Sequence, residues 1–556
     1  MASYEYRPFP YRLAPELDGA AGEYPVAIVG AGPVGLSAAI DLALRGVQSV
    51  VLDDNDVVSV GSRAICWAKR TLEIFDRLGV GDRMVAKGVT WKLGRFYHGD
   101  REISSIDLLP EPGHKMPAFI NLQQYYVEQY LVERAGDFPD LIDLRWKNKV
   151  TRVEASATGV SLGIETPDGP YGLQAEWVIA ADGARSPIRK VLGLELVGQL
   201  FEERFLIVDV RLPAERPNER HFWFKPTFDP GESVLVHRQP DDVYRVDFQL
   251  GPHADPEAER APDRVRARVE AVFGKGVEYE LEWASVYMFR CARLDRLVHG
   301  RVIFAGDSAH VVSPFGARGG NGGIQDVDNL AWKLALVVEG KAQPELMASY
   351  DEERGRGADE NVLNSARTTR FMTPKTAVER AYRDAVLALA AEHPFARSLV
   401  NGGRLSRPCL LDGFVLQTPD ETRLPEMTRP GAICPDAPME DSEGRSCWLL
   451  GALGDGFTAM VFVDGEERDP QTWPTLPPEM RLLAIAPRAL GRSALATLVD
   501  AEGIARERYG GRPGVTYLIR PDQHIAARFA GFDPVALQRA YARATGHLDE
   551  PARAAA

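Results

Sequence analysis

Tyr24-Pro25-Val26-Ala27-Ile28-Val29-Gly30-Ala31-Gly32-Pro33-Val34-Gly35 sets the reading of this chain. Its first half is an apolar run of strand length, and its second half is a Gly-x-Gly-x-x-Gly. A helical pattern follows from Pro33 to Arg45, with apolar residues at Val34, Ala38 and Leu42. A second apolar run, Ser49 to Leu52, then ends at Asp53. Strand, glycine turn, helix, strand and terminal acid in this order read as a βαβ dinucleotide-binding unit. Gly30 allows the tight turn, Gly32 lets backbone approach a pyrophosphate, and Gly35 lets the helix pack close to the strand. The helix N-terminus offers free N–H groups and a partial positive charge to the phosphates. Asp53 is placed to accept hydrogen bonds from an adenosine ribose, with its neighbour Asp54 as the alternative.

Two more strands run into acidic turns downstream. Trp177-Val178-Ile179-Ala180-Ala181-Asp182-Gly183 is one, and Arg301-Val302-Ile303-Phe304-Ala305-Gly306-Asp307 is the other. Ser313-Pro314-Phe315-Gly316-Ala317-Arg318-Gly319-Gly320-Asn321-Gly322-Gly323 follows, with five glycines in eight residues. That density is costly unless backbone must approach something closely. A helix is expected from about Ile324, with apolar positions at Val327, Leu330, Ala331, Leu334 and Val338 and a C-capping Gly340.

The three fingerprints together resemble the flavin-dependent aromatic hydroxylases with the 4-hydroxybenzoate hydroxylase fold. Within them the chain is most similar to the phenol-type and 3-(3-hydroxyphenyl)propionate-type branch. The resemblance covers about residues 25–545. It implies an α/β fold: a Rossmann-like FAD-binding domain, an inserted, mostly antiparallel β substrate domain and a C-terminal thioredoxin-like domain. The division it implies begins with an N-terminal arm (1–24). The FAD-binding domain is split into a first segment (25–195) and a second segment (291–345), on either side of the substrate-binding β domain (196–290). A helical segment and connector (346–425), the thioredoxin-like domain (426–545) and a tail (546–556) complete it. Short alternating runs such as 205–210 and 243–248 independently read as β structure. Residues 1–24 read as an arm that lies on the surface or is flexible.

The resemblance also implies roles. Asp307 matches the acid that holds a ribityl hydroxyl of FAD. Asp182 and Gly183 match a pair near the pyrophosphate that also affects pyridine nucleotide binding. Arg63 matches an arginine near the phosphates. Gln124 matches a flavin-contacting glutamine, with Gln123 one residue away as the alternative. Gly319, Gly320 and Asn321 lie along the pyrimidine edge of the ring, where the helix N-terminus stabilises the negative charge of reduced flavin. Pro314 sits near the face where oxygen reacts. Tyr287 matches a tyrosine of the phenol-hydroxylase active site, and it reads equally as a packed sheet tyrosine. His237 and Tyr244 are unranked candidates, and His310 reads as structural. Ile65 stands where phenol hydroxylase has an active-site acid. The family often has Pro-Pro at Ser313-Pro314, and a glutamine or similar residue at Arg318.

The implied enzyme binds FAD, takes NADH or NADPH as co-substrate, and forms a C4a-hydroperoxide with O2. That species oxygenates an electron-rich phenolic ring. A homodimer is implied as well. Two other readings are an NAD-dependent dehydrogenase using the first motif alone and a non-catalytic flavin-binding protein.

Composition bounds the classes. The chain has 556 residues, suggesting about three or four domains. Its formal charge is −14, with no basic block, which speaks against nucleic acid and anionic membrane surfaces. The five cysteines are scattered and form no Cys-x-x-Cys, against a disulfide framework, a zinc site or a redox motif, so no metal is expected. No Gly-x-Ser-x-Gly, His-Glu-x-x-His or Trp-x-Trp occurs. The N-terminus carries early charges and no apolar core, so a signal peptide is not expected and a cytoplasmic protein is.

Overall fold

Val26, Ala27, Ile28 and Val29 are all buried, which suits a strand covered on both faces. In the computed structural model they belong to β1 (Glu23–Val29), followed by α1 (Pro33–Leu44) and β2 (Ser49–Asp53). Described are residues 4–20, 22–61, 63–91, 93–109, 111–213, 217–229, 233–400, 406–464, 476–489 and 496–547. Ser62 and most of the expected tail lie outside them.

β1 pairs in parallel with β2 on one side and with Gly169–Ala180 on the other. Gly169–Ala180 pairs in parallel with Val302–Phe304, and β2 with Ile142–Trp146. The register aligns Leu52, Val29, Ala180 and Phe304 in one row across four parallel strands. Pro33 opens α1, where its missing N–H costs nothing and its fixed φ suits a helix.

The long helix Gly319–Val338 begins five residues before the expected Ile324 and takes the glycines into its first turns. Propensity disfavours glycine there. Packing overrides it, because a Cβ on Gly323 would lie 2.7 Å from Val34 Cγ2 and one on Gly320 would lie 3.2 Å from the Trp67 ring. Gly340 adopts a left-handed φ of 69°, as its capping position requires.

A second sheet has eight strands. Its order runs His310–Val311, Glu280–Arg293, Val197–Arg211, Val243–Gln249, Ser233–Arg238, Arg220–Phe224, Leu93–His98, Arg101–Asp107. All neighbours are antiparallel except Arg220–Phe224 with Leu93–His98. The last two strands come from within the stretch expected to be wholly FAD-binding. The 196–290 stretch also contains a helix, Pro262–Phe273. Alternation gives the sheet two faces. Leu206, Val208, Val246 and Phe248 pack on one. Phe205, Phe222, Phe224 and Leu235 occupy the other, with Phe315 of the glycine-rich stretch. The arm does pack: Phe9 stacks on Trp146 at 4.5 Å, and Glu16 pairs with Arg145 at 2.7 Å.

The C-terminal residues form a mixed seven-stranded sheet whose parallel centre is Phe457–Phe462, Met480–Ala486 and Ala496–Val499. It is bolted to the first half by buried charges. Arg70 donates to Asp328 at 2.8 Å and to Gln523 at 2.7 Å. Arg520 pairs with Glu353 at 2.7 Å and with Asp522 at 2.5 Å, and Lys333 reaches Glu353 at 2.8 Å. Burial alone would raise the Glu353 carboxyl, but Arg520 and Lys333 outweigh it and hold the group well below the ordinary carboxylate range. Asp522 is held low in the same way, by Arg520 and His524 against burial.

Removing one partner of a buried pair leaves the other charge uncompensated, at about 3–5 kcal/mol. Asp522→Asn is therefore expected to lower the thermal midpoint clearly, read by circular dichroism. Because both carboxyls are depressed on folding, their contribution is complete at neutral pH. It is lost as pH falls below the unfolded carboxylate range of about 4 toward the folded values. An unchanged midpoint in Asp522→Asn, or stability that rises on acidification through that range, contradicts this account.

Candidate functional site

The row Leu52, Val29, Ala180, Phe304 ends three of four adjacent parallel strands and stands one residue short of the end of the fourth, and the motif residues follow within three positions of it. Asp53, Gly30, Asp182 and Asp307 thus emerge at one sheet edge. The carboxyl edge of a parallel sheet is where such folds bind nucleotides.

The three glycines of the first turn divide by what surrounds them. A Cβ on Gly30, at φ 106°, would lie 2.5 Å from Ala181 O, and one on Gly35 would lie 1.9 Å from Gly30 O. Both are forced by the protein's own packing. Around a Cβ on Gly32, which caps α1, there is no atom within 4 Å. That open side faces the helix N-terminus, where a pyrophosphate would lie. Asp53 secures the turn, accepting from Ala31 N at 2.6 Å and from Asn55 N at 2.8 Å. Burial raises its carboxyl against these bonds. Asp54 is exposed and meets Asn55 Nδ2 at 3.0 Å.

Asp182 Oδ2 accepts from Ser186 Oγ at 2.7 Å and from Ile188 N at 3.0 Å. Its Oδ1 is buried without a partner. Gly183 takes φ 78°, with no atom within 4 Å of an added Cβ. Asp307 has accessible surface, yet protein surrounds it closely enough for burial to raise its carboxyl, partly offset by His310 and Arg63. Its accessible surface is therefore the wall of an inward cleft. An added Cβ on Gly319, at the start of the long helix, would lie 3.9 Å from Asp307 Oδ1. These observations fit FAD: an open pyrophosphate cradle, an orphaned buried acceptor at Asp182 and a cleft-facing carboxylate at Asp307.

The remaining expected residues take varied positions. Arg63 is exposed, and its carbonyl receives Arg245 Nη1 at 2.8 Å. The Gln124 side chain is committed to protein: Oε1 accepts from Ala64 N at 3.2 Å, and Nε2 donates to Ser59 Oγ at 3.0 Å and Glu128 at 2.7 Å. Gln123 is buried, with an unpartnered Oε1. Asn321 brackets the long helix to Cys66–Ala68, accepting from Ala68 N at 2.8 Å and donating to Cys66 O at 2.9 Å. His310 is buried and bonds Asp326 at 2.7 Å, which ties the Gly306-Asp307 turn to that helix.

Beside Phe315 and Gly316 opens a cavity of about 580 Å³. Phe96, Phe222, Phe224 and Trp91 form much of its wall, and Arg220 contributes a charge. Pro314, exposed, immediately precedes these loop residues. Tyr287 lies opposite Phe205 on the same sheet face, but on a strand four places along from Arg220–Phe224. His237 is buried 4.0 Å from Cys66 Sγ, and burial holds its imidazole well below the usual range. Tyr244 packs on Phe273 behind the sheet, away from the cavity. Sequence reasoning missed the cavity wall. Its signal was the alternation of Arg220, Phe222 and Phe224. Arg318, at the start of the long helix, is buried beside Asn361, and burial pushes its guanidinium down to about 10. Among the described residues no cluster is placed to hold a metal ion, and no helix is long and apolar enough to cross a membrane.

Residues 23–365 match the protein family described as FAD binding domain. The chain is 32% identical over 340 residues to a flavin-dependent monooxygenase of Mycobacteroides abscessus, covering 59% of this chain and 70% of that protein. It is 30% identical over 383 residues to a 3-(3-hydroxy-phenyl)propionate/3-hydroxycinnamic acid hydroxylase of Burkholderia vietnamiensis, covering 67% and 68%. Among solved structures, the anhydrotetracycline hydroxylase OxyS of Streptomyces rimosus superposes with a TM-score of 0.70 at 25% identity, over 94% of this chain and 99% of that one. The monooxygenase PieE, solved with FAD and substrate, shares the fold at a TM-score of 0.78 and 24% identity, over 95% and 99%.

Asp307→Ala is expected to purify with little bound flavin, measured as the flavin-to-protein absorbance ratio. Gly32→Val is expected to do the same while keeping the wild-type circular dichroism spectrum, because its side chain enters open space rather than packed protein. Full occupancy in either variant contradicts the site geometry.

Proposed function

The chain belongs to the FAD binding domain family and is a flavoprotein monooxygenase, and on that footing we propose that it hydroxylates a phenolic ring using O2 and NADH or NADPH. The observation that carries this reading is one segment shared by two features. The chain that leaves the carboxyl edge at Asp307 runs on to Phe315 and Gly316, which line the aromatic-walled cavity, and then to Gly319, beside Asp307 again. The aromatic hydroxylases among its relatives support a ring substrate.

When bound, FAD supplies electron transfer from the nicotinamide and activation of oxygen. The chain's residues do the rest. The α1 N-terminus, with Gly30, Gly32 and Gly35, holds the pyrophosphate. Asp53 holds the adenosine ribose, and Asp307 a ribityl hydroxyl. Asp182, Gly183 and Arg63 border the phosphates. Gln124 braces the loop at Ala64 rather than reaching for the ring. Gly319 and Gly320 open the long helix beside Asp307, so that its positive end would face the pyrimidine edge of a bound flavin, and Asn321 fixes that end in place. Pro314, next to the cavity-lining Phe315, would border the space where oxygen meets substrate. Phe222, Phe224 and Phe315 exclude water from the ring. Tyr287 supports the same sheet face.

A dehydrogenase built on the first turn alone leaves Asp182 and Asp307 at the same edge without a task. A purely flavin-binding protein leaves the cavity without one.

The test uses FAD-loaded protein and a panel of phenols, with NADH and NADPH assayed separately. Phenol-stimulated oxidation of one nucleotide is expected, with a product heavier by one oxygen atom. A stable FAD complex that stays silent across the panel would refute the proposal.

A further inference from the structure

Strand alternation turns Arg220, Phe222 and Phe224 to the cavity, while Trp223 faces the other way and stacks on Tyr97 at 5.0 Å. Register sets Arg220 opposite Gly94. The guanidinium lies 5.7 Å from the Trp91 ring centre. Among the described residues it forms no ion pair and no hydrogen bond. The cavity-lining Arg95 differs, because it holds Glu219 at 2.6 Å. Burial lowers Arg220, and Cys66 and Asp247 offset this only at longer range.

An uncompensated cation in an apolar wall costs free energy unless something anionic arrives. The rest of the lining does not supply it. Arg95, Arg367 and Arg370 join Arg220, against a single acid, Glu379. That carboxylate already accepts from Lys375 N at 2.8 Å and Thr376 N at 3.0 Å, capping its helix. The lining is thus aromatic in its walls and positive in its charge.

We propose that Arg220 is the anion anchor of this cavity: the substrate is an aromatic compound that presents an ionised oxygen, carboxylate or phenolate, to the Arg220 guanidinium. The ring then lies against Phe222, Phe224 and Phe315. A guanidinium suits this role because its planar fork can donate two parallel hydrogen bonds to one oxyanion group. The inference rests on the monooxygenase reading but is tested by binding, which does not require turnover.

FAD-loaded wild type, Arg220→Met and Arg220→Lys are titrated with 3-hydroxybenzoate and 3-hydroxybenzamide, and with 3-(3-hydroxyphenyl)propionate and its amide. Binding is read from perturbation of the flavin spectrum, and ionisation of the bound phenol from its ultraviolet spectrum against pH. If the anion is a carboxylate, wild type binds the acids about tenfold or more tighter than the amides. Arg220→Met then loses the preference and Arg220→Lys keeps some of it. If the anion is the phenolate, acid and amide bind alike, but the bound phenol ionises at a lower pH in wild type than in Arg220→Met. Wild type that shows neither effect, or Arg220→Met that shows both unchanged, overturns the proposal. So does a ligand-free melting temperature well below wild type in Arg220→Met, since that would show the charge already partnered within the fold. Oxygenation with Arg220-indifferent binding sinks this inference alone. Arg220-dependent anion binding without oxygenation sinks only the monooxygenase reading.

Discussion

Val34 fills the space that side chains would need at two glycines. Its Cγ2 would lie 2.8 Å from a Cβ on Gly306 and 2.7 Å from one on Gly323. Because neither position has a Cβ, the long helix and the Gly306-Asp307 turn close onto α1. Two helix N-termini then open on one cleft, with Asp307 between them. Each N-terminus carries unsatisfied N–H groups and a partial positive charge. A fold that holds two such ends together, and orphans an acceptor at Asp182 nearby, is organised around an anionic, hydroxyl-rich ligand.

The second sheet adds a different environment. Its inner face is aromatic near Phe222 and Phe224 and charged at Arg245 and Asp209, beside the neutral His237. Arg245 also reaches Arg63 O, which joins that face to the loop beside the cleft. The C-terminal unit contributes no lining residue to the cavity among those described. Its attachment runs through Arg70, Asp328, Glu353, Arg520 and Asp522. Such buried ionic contacts give modest net stability but a strict geometry, because only one docking register satisfies all of them. The helix bearing Glu353 runs on to Arg367–Met372, so the docking that positions one end of it also bears on the cavity wall.

The nucleotide half was legible because its signals are local. Strand, turn and acid lie within a few residues of each other at β1, at Trp177–Gly183 and at Arg301–Asp307. The long helix was read late, from Ile324 instead of Gly319, since propensity speaks against glycine and only the contact with Val34 and Trp67 reverses it. The cavity was not legible. Its walls come from Leu93–His98, Arg220–Phe224 and residues near 367–400, segments that meet only in three dimensions. Tyr244 shows the same limit from the other side: alternation placed it on a sheet face but not on the face that counts. The arm, read as surface or flexible, is held by Phe9 on Trp146 and Glu16 on Arg145, partners well over a hundred residues away.

The parallel pairing of Leu93–His98 with Arg220–Phe224 joins partners 126 residues apart in sequence. During synthesis the earlier hairpin therefore leaves the ribosome with a bare edge and must wait for its neighbour. Contacts of such separation form late, after a large loss of chain entropy. Until then Phe96 lacks its cover and the edge is open to wrong pairing with other chains. Slower translation, lower temperature or chaperone supply should accordingly govern the yield of this protein more than the strength of its finished core.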